Sequence, residues 1–149
     1  MANTYTQIYY HIVFSTKNRL RAISPDRRED LFRYLWGSHR NLKCHPYRIG
    51  GIEDHVHILT SIHPTLALAK YIEEVKTGST HWIRKEGIFP DWPGWQDGYA
   101  ALTLANKDKD DVIEYIKSQP EHHQRTTFME EYRRLLEEAG IEYDPKYLE

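Results

Sequence analysis

Six stretches of this chain follow one another in the order strand, helix, strand, strand, helix, strand, and few packings satisfy that order. Tyr5 to Ser15 is rich in β-branched and aromatic residues and predicts the first strand. Ser24-Pro25-Asp26 has the make-up of a helix start, with Ser24 as N-cap, Pro25 at the first helical position and an acid behind it. Leu31, Tyr34, Leu35 and Leu42 then recur at helical spacing, with the end near Asn41. Pro46 to Ile52 and His55 to Ile62 read as the next two strands, with Gly50-Gly51 as a bulge or part of a turn. Pro64-Thr65 opens a long second helix carrying Leu68, Ile72, Val75 and Ile83 and interrupted by Gly78. The turn-rich Pro90-Asp91-Trp92-Pro93-Gly94 leads into a fourth strand, Tyr99 to Leu104. Two further helices are expected. One begins in the polar stretch Asn106 to Asp111 and runs to Ser118 or Gln119, where Pro120 stops it. The other is amphipathic, covers Phe128 to Ala139 and ends at Gly140.

The economical packing is an α+β ferredoxin-like sandwich, a single domain over residues 1–149. Its antiparallel sheet has the first and third strands at the centre and the first two helices on one face. The other face is left for a ligand or an extra helix. No apolar run approaches the roughly 20 residues that span a bilayer, and the N-terminus lacks a signal-peptide pattern, so a cytoplasmic protein without membrane partners is expected. The single cysteine, Cys44, excludes an internal disulfide framework and a thiolate-rich metal centre. The net charge of -2 hides an asymmetry: residues 1–50 carry nine Lys/Arg against three Asp/Glu, and the rest eleven against nineteen. Lys17, Arg19 and Arg21 after the first strand, with Arg27, Arg28 and Arg33 on the first helix, are candidates for nucleic-acid phosphate contacts; a solvated helix face is the other reading of the last three.

His55-Val56-His57 falls on the third strand, where residues two apart share a face. Both imidazoles then project together, either as half of a metal site or as a purely structural pair, while Val56 and Ile58 enter the core. Tyr115 and Gln119, four apart, share one face of the third helix and can meet the histidines if that helix crosses the open side of the sheet. The same spacing also suits a packed tyrosine with an exposed glutamine. Lys76-Thr77-Gly78-Ser79 is either a contact to a nucleic-acid backbone or a helix irregularity, and Trp92 and Trp95 are either base stackers or packing anchors.

The blocks His11-Ile12-Val13-Phe14-Ser15-Thr16-Lys17-Asn18-Arg19, Asp54-His55-Val56-His57-Ile58-Leu59, Trp95-Gln96-Asp97-Gly98-Tyr99 and Tyr115-Ile116-Lys117-Ser118-Gln119-Pro120-Glu121-His122-His123 occur in one order along nearly the whole chain. Phe128-Met129-Glu130-Glu131-Tyr132 and Ile141-Glu142-Tyr143-Asp144 complete them. In these the chain resembles the smallest HUH-type (His-hydrophobic-His) transposases, the single-tyrosine enzymes of insertion sequences that move as single-stranded DNA, and their repeat-associated relatives. Pro120 directly after the glutamine departs from the pattern.

The resemblance implies that His55, His57 and Gln119 bind a divalent metal, Mg²⁺ or Mn²⁺, and that Tyr115 attacks a DNA phosphate to leave a 3′-hydroxyl and a 5′-phosphotyrosine. It implies a hairpin-bearing single-stranded DNA as partner and a homodimer whose active sites are composed in trans. For the trans arrangement the polar connector Asn106 to Asp111 would let the third helix cross to a partner. His122 and His123 read as cations capping the third helix. The competing reading is a non-catalytic or domesticated nucleic-acid-binding protein of the same fold, with Tyr9 and Phe14 as base stackers on the sheet.

Overall fold

The computed structural model describes residues 3–148. Among these, four strands, β1 (Tyr9–Ser15), β2 (His45–Ile52), β3 (His55–Ser61) and β4 (Ala100–Leu104), form one antiparallel sheet in the order β2-β3-β1-β4. The first and third strands are central, as the ferredoxin-like order requires. The α-helices around the sheet are α1 (Arg28–Asn41), α2 (Leu68–Glu86), α3 (Lys109–Lys117), α4 (Gln119–His122) and α5 (Phe128–Glu138).

The period of two along β1 and β3 divides their side chains between two layers. Ile12, Phe14, Val56 and Ile58 face one way, into a core completed by Leu31, Phe32 and Leu35 of α1 and Tyr71, Ile72, Val75 and Ile83 of α2. His39 of α1 is buried there for structural reasons: its Nδ1–H donates to the Leu35 carbonyl and its Nε2 accepts from the Tyr71 hydroxyl, which joins α1 to α2. The opposite face is covered by the C-terminal helices. Tyr9 and Leu59 pack on Ile116 of α3, and Val13 and Ala100 pack on Phe128 and Leu136 of α5. Tyr9 and Phe14 therefore lie on opposite faces, both buried, and neither is a base-stacking platform.

Several boundaries differ from the sequence expectation. β1 begins at Tyr9, because neither neighbour extends past it and the exposed residues Tyr5 and Ile8 have no strand to pair with. Ser24 does not cap α1; its carbonyl accepts from Arg27 N–H in a turn that precedes the helix, and Arg27 holds the cap position without a side-chain bond. Residues 63–66 likewise form a turn closed by Leu66 N–H on the His63 carbonyl, which delays α2 to Leu68. That helix then runs through Gly78 without interruption. Lys76 and Ser79 serve packing: Lys76 Nζ donates to the carbonyls of Gln96 and Gly98, and the buried Ser79 Oγ accepts from Trp95 Nε1–H at 2.9 Å. Trp92 and Trp95 are buried anchors of the same loop.

The two glycines before the third strand bring neighbours close. The register slip of β2 lies between Pro46 and Arg48, not at the glycines. A Cβ at Gly51 would stand 2.2 Å from the His55 carbonyl oxygen, and one at Gly50 would stand 2.9 Å from Ile116 of α3. Their absence lets β2 and α3 close on the strand that carries the histidine pair.

Candidate active site

His55 and His57 project from β3 onto the face covered by α3, α4 and α5, both with no exposed surface and with ring centroids 5.0 Å apart. The chain breaks α3 at Ser118, and Pro120 sits in the first turn of a separate short helix, α4, where its missing N–H costs nothing. The break does not remove Gln119 from the site. Its side chain is fully buried, and its Oε1 lies 2.9 Å from His55 Nε2. Tyr115, one turn earlier on α3, places its ring 5.7 Å from that of His57. The single chain thus brings its own Tyr115 and Gln119 to its own histidine pair.

A residue that sequence reasoning missed stands at the centre. Glu131 of α5 is fully buried. Its Oε1 lies 3.2 Å from His57 Nε2, 3.4 Å from His55 Nε2 and 3.0 Å from His123 Nε2. Its Oε2 accepts from Gln119 Nε2 at 2.8 Å and from the Tyr115 hydroxyl. His122 Nε2 is 3.6 Å from the same oxygen. The histidines 122 and 123 therefore do not cap α3. The turns at Ser118 and after His123 aim both rings at Glu131, and His123 Nδ1–H is held by the Thr126 carbonyl at 2.7 Å. Glu131 had one sequence signal: it is an acid between Phe128 and Leu135 on the apolar side of an amphipathic helix. A fourth histidine, His11 of β1, is also buried here, with Nε2 2.8 Å from His57 Nδ1.

The electrostatics follow from burial and this one carboxylate. Burial alone would raise Glu131, but hydrogen bonds from His123, His55 and His57 hold it well below the usual carboxylate range. Burial disfavours a charge on His55, yet its bonds to Asp54, at 2.7 Å, and to Glu131 outweigh this and raise it to about 9. His57 goes the other way: burial prevails over Glu131 and lowers it to about 4. His11 is lowered by burial, and next by His57, to about 3. The Tyr115 phenol is pushed up by burial and then by the Glu131 charge. Burial and this carboxylate thus favour the charged form of His55, the neutral forms of His57 and His11 and the protonated form of the Tyr115 phenol.

His55, His57 and Glu131 each offer a ligand atom within 4.8 Å of the others. Two imidazole nitrogens and a carboxylate oxygen are a donor set for a divalent cation, and Gln119 Oε1 adds a neutral oxygen beside them. The donors present therefore fit such an ion.

The basic candidates fall into two groups. Arg19 and Arg21 line a cavity of about 380 Å³ together with Arg125, Asp54 and His123, at the edge of the site. None of these three arginines, nor Lys17, has a carboxylate partner among the described residues. Arg27 and Arg33 both pair with Asp30, and Arg28 lies 3.8 Å from Glu53. Arg28 and Arg33 border a different cavity of about 260 Å³, with Trp36, Arg48 and Lys117.

Comparisons with known proteins give a family and a shared fold. The family described as IS200-like transposase matches residues 4–119. A protein of Deinococcus radiodurans R1 described as a transposase superposes with a TM-score of 0.62 at 20 % identity, covering 80 % of this chain and 96 % of its own. A REP-associated tyrosine transposase bound to a REP hairpin superposes with a TM-score of 0.59 at 16 % identity, covering 83 % and 74 %. At these identities the likeness concerns the fold. Comparison with curated sequences finds no match.

Proposed function

Because this chain belongs to the family of IS200-like transposases, we propose that it cleaves and rejoins single-stranded DNA with Tyr115 as nucleophile, dependent on a divalent metal, Mg²⁺ or Mn²⁺. The observation that carries this reading is the convergence of the Tyr115 hydroxyl, His55, His57 and Gln119 on the buried carboxylate of Glu131. His55 and His57, with Glu131 Oε1 and Gln119 Oε1, would hold the ion, which when bound offsets the charge that builds on the scissile phosphate.

The chain's own groups do the rest. Asp54 holds Nδ1 of His55 and so fixes the direction of its ring. Glu131 Oε2 already accepts the phenolic hydrogen of Tyr115 and so orients the hydroxyl, whose proton passes to water as the tyrosine oxygen attacks. The new bond joins Tyr115 Oη to phosphorus; the bond broken is that from phosphorus to the 3′-oxygen, which leaves as a hydroxyl after taking a proton from water. The 5′-phosphotyrosine keeps the phosphodiester energy, and attack by a 3′-hydroxyl reverses the step. A free phenol at neutral pH is ionised only to about one part in a thousand, so the positive charge that a cation would bring to the site matters.

For the substrate, the arginines that line the cavity beside the site point to a strand whose phosphates pass Arg19, Arg21 and Arg125 on the way to Tyr115. The relative bound to a REP hairpin supports hairpin DNA as the partner. A homodimer that exchanged α3 and the helices after it would rebuild the same contacts from two chains, through the connector at residues 105–108.

The test is a labelled single-stranded hairpin DNA incubated with the protein and Mn²⁺. A covalent protein–DNA adduct is expected, absent with chelator and absent in Tyr115→Phe, whose affinity for the uncleaved hairpin stays within a few-fold of the parent. Hairpin binding with no adduct in Mn²⁺ or Mg²⁺ would instead identify a non-catalytic binding protein.

A further inference from the structure

His11 takes no part in the chemistry above, yet it lies between its members. It is 6 % exposed, its ring stacks on His57 with centroids 5.1 Å apart, and its edge meets the Tyr115 ring at 6.1 Å. The pairing of β1 with β3, the two central strands, sets its position. Two ring nitrogens 2.8 Å apart need one proton between them, so one donates and the other accepts. Which one donates is decided on the far side of His57.

With His57 Nε2 against Glu131 Oε1, as here, Nε2 carries the ring proton and donates to the carboxylate. Nδ1 is then a lone pair, and His11 must donate to it. When Nε2 instead gives its lone pair to a cation, the ring proton sits on Nδ1, and His11 must accept it. A carbonyl or carboxylate beside Nδ1 would only accept and so would serve one state. An aliphatic side chain would serve neither and would leave a buried polar nitrogen unpaired. An imidazole serves both by moving its own proton between Nε2 and Nδ1. Its outer nitrogen can follow, because among the described residues the only buried side-chain polar atom without a partner is Arg48 Nε, so His11 Nδ1 is not sealed off from water.

We propose that His11 is a positioning residue that exchanges tautomers with His57, keeping His57 Nδ1 hydrogen-bonded whether Nε2 faces Glu131 or a divalent cation. His11 thereby sets the affinity of the site for the metal. The proposal rests on the reading of His57 as a ligand.

Two measurements test it. The first is the affinity for Mn²⁺ alone, followed by the electron paramagnetic resonance of the free ion. His11→Leu is expected to weaken binding by about 10–100-fold, the usual scale for loss of an outer partner of a ligating histidine. His11→Gln, whose carboxamide offers both an oxygen and an N–H, should stay within about threefold of the parent. The second is the ¹⁵N spectrum of the ring nitrogens in the parent protein with and without Zn²⁺, a diamagnetic probe. The protonated nitrogen of His11 should change from Nε2 to Nδ1, and that of His57 likewise. A folded His11→Leu that binds Mn²⁺ within twofold of the parent overturns the proposal, as does a His11 tautomer that is the same in both spectra. If His11→Leu does not fold, the spectra of the parent decide. His57→Ala is the control: unchanged Mn²⁺ binding there would overturn the metal-site reading itself.

Discussion

Replacing Glu131 by Gln preserves the size of the side chain and removes the negative charge at the centre of the site. In the metal-free parent, burial opposes a charge on His55, but Asp54 and Glu131 prevail and lift its pKa from 6.5 to about 9. A histidine raised in this way contributes stability that is complete below its unfolded pKa and is lost as the pH rises through the folded one. From 6.5 to about 9, at about 1.4 kcal/mol per unit, the contribution is about 3 kcal/mol. For a chain of this length that corresponds to roughly 6–12 °C in Tm. His57 and His11 act in the other direction. Burial holds them at about 4 and about 3, so below pH 6.5 the unfolded chain takes up protons that the folded chain refuses, and stability falls towards acid. Chelator-treated parent should therefore be most stable near pH 6.5–7 and lose Tm on both sides, read by circular dichroism from pH 5 to 10. In Glu131→Gln only Asp54 still supports the His55 charge, so the alkaline slope should shrink and Tm at pH 6.5 should drop by several degrees. A parent Tm that is flat from pH 6.5 to 9.5, or a Glu131→Gln profile that coincides with the parent's, would refute the charged pairing of His55 with Glu131.

Replacing Arg19, Arg21 and Arg125 together by Ala should weaken binding of single-stranded hairpin DNA and reduce its salt slope by about 0.7 for each phosphate that is no longer neutralised. The corresponding change of Arg27, Arg28 and Arg33, which already face carboxylates, should have the smaller effect; binding assays from about 50 to 200 mM salt compare the two, and the reverse ranking would move the DNA to α1. Mixing Tyr115→Phe with His57→Ala protein tells the two assemblies apart. With verified subunit exchange, cleavage returns if the site is shared between chains, and the mixture stays inactive if each chain supplies both halves.

Much of the fold and half of the site follow from local periodicity. The alternation along residues 9–15 and 55–61 identifies the central strands, and the same period of two places His55 and His57 on one face and Val56 and Ile58 on the other. Spacing put Tyr115 and Gln119 on one helix face but equally suited a packed tyrosine, so only the family resemblance singled them out, and the helix between them breaks at Ser118. Turn chemistry was less legible: the expected Ser24 cap failed because backbone bonds of the preceding turn compete for the same residues.

The centre of the site lay beyond local pattern. Glu131 is sixteen residues from the tyrosine whose hydroxyl it accepts, and His11 is forty-six residues from the histidine it touches. By itself, the amino-acid order determined which side chains share a face of each strand or helix, because the backbone period fixes that within a few residues. Which faces then meet was decided only by the tertiary structure, through the packing of α3, α4 and α5 on one side of the sheet. That packing buries Glu131 among histidines, and burial gives one carboxylate hold over the charge of His55 and the proton of Tyr115.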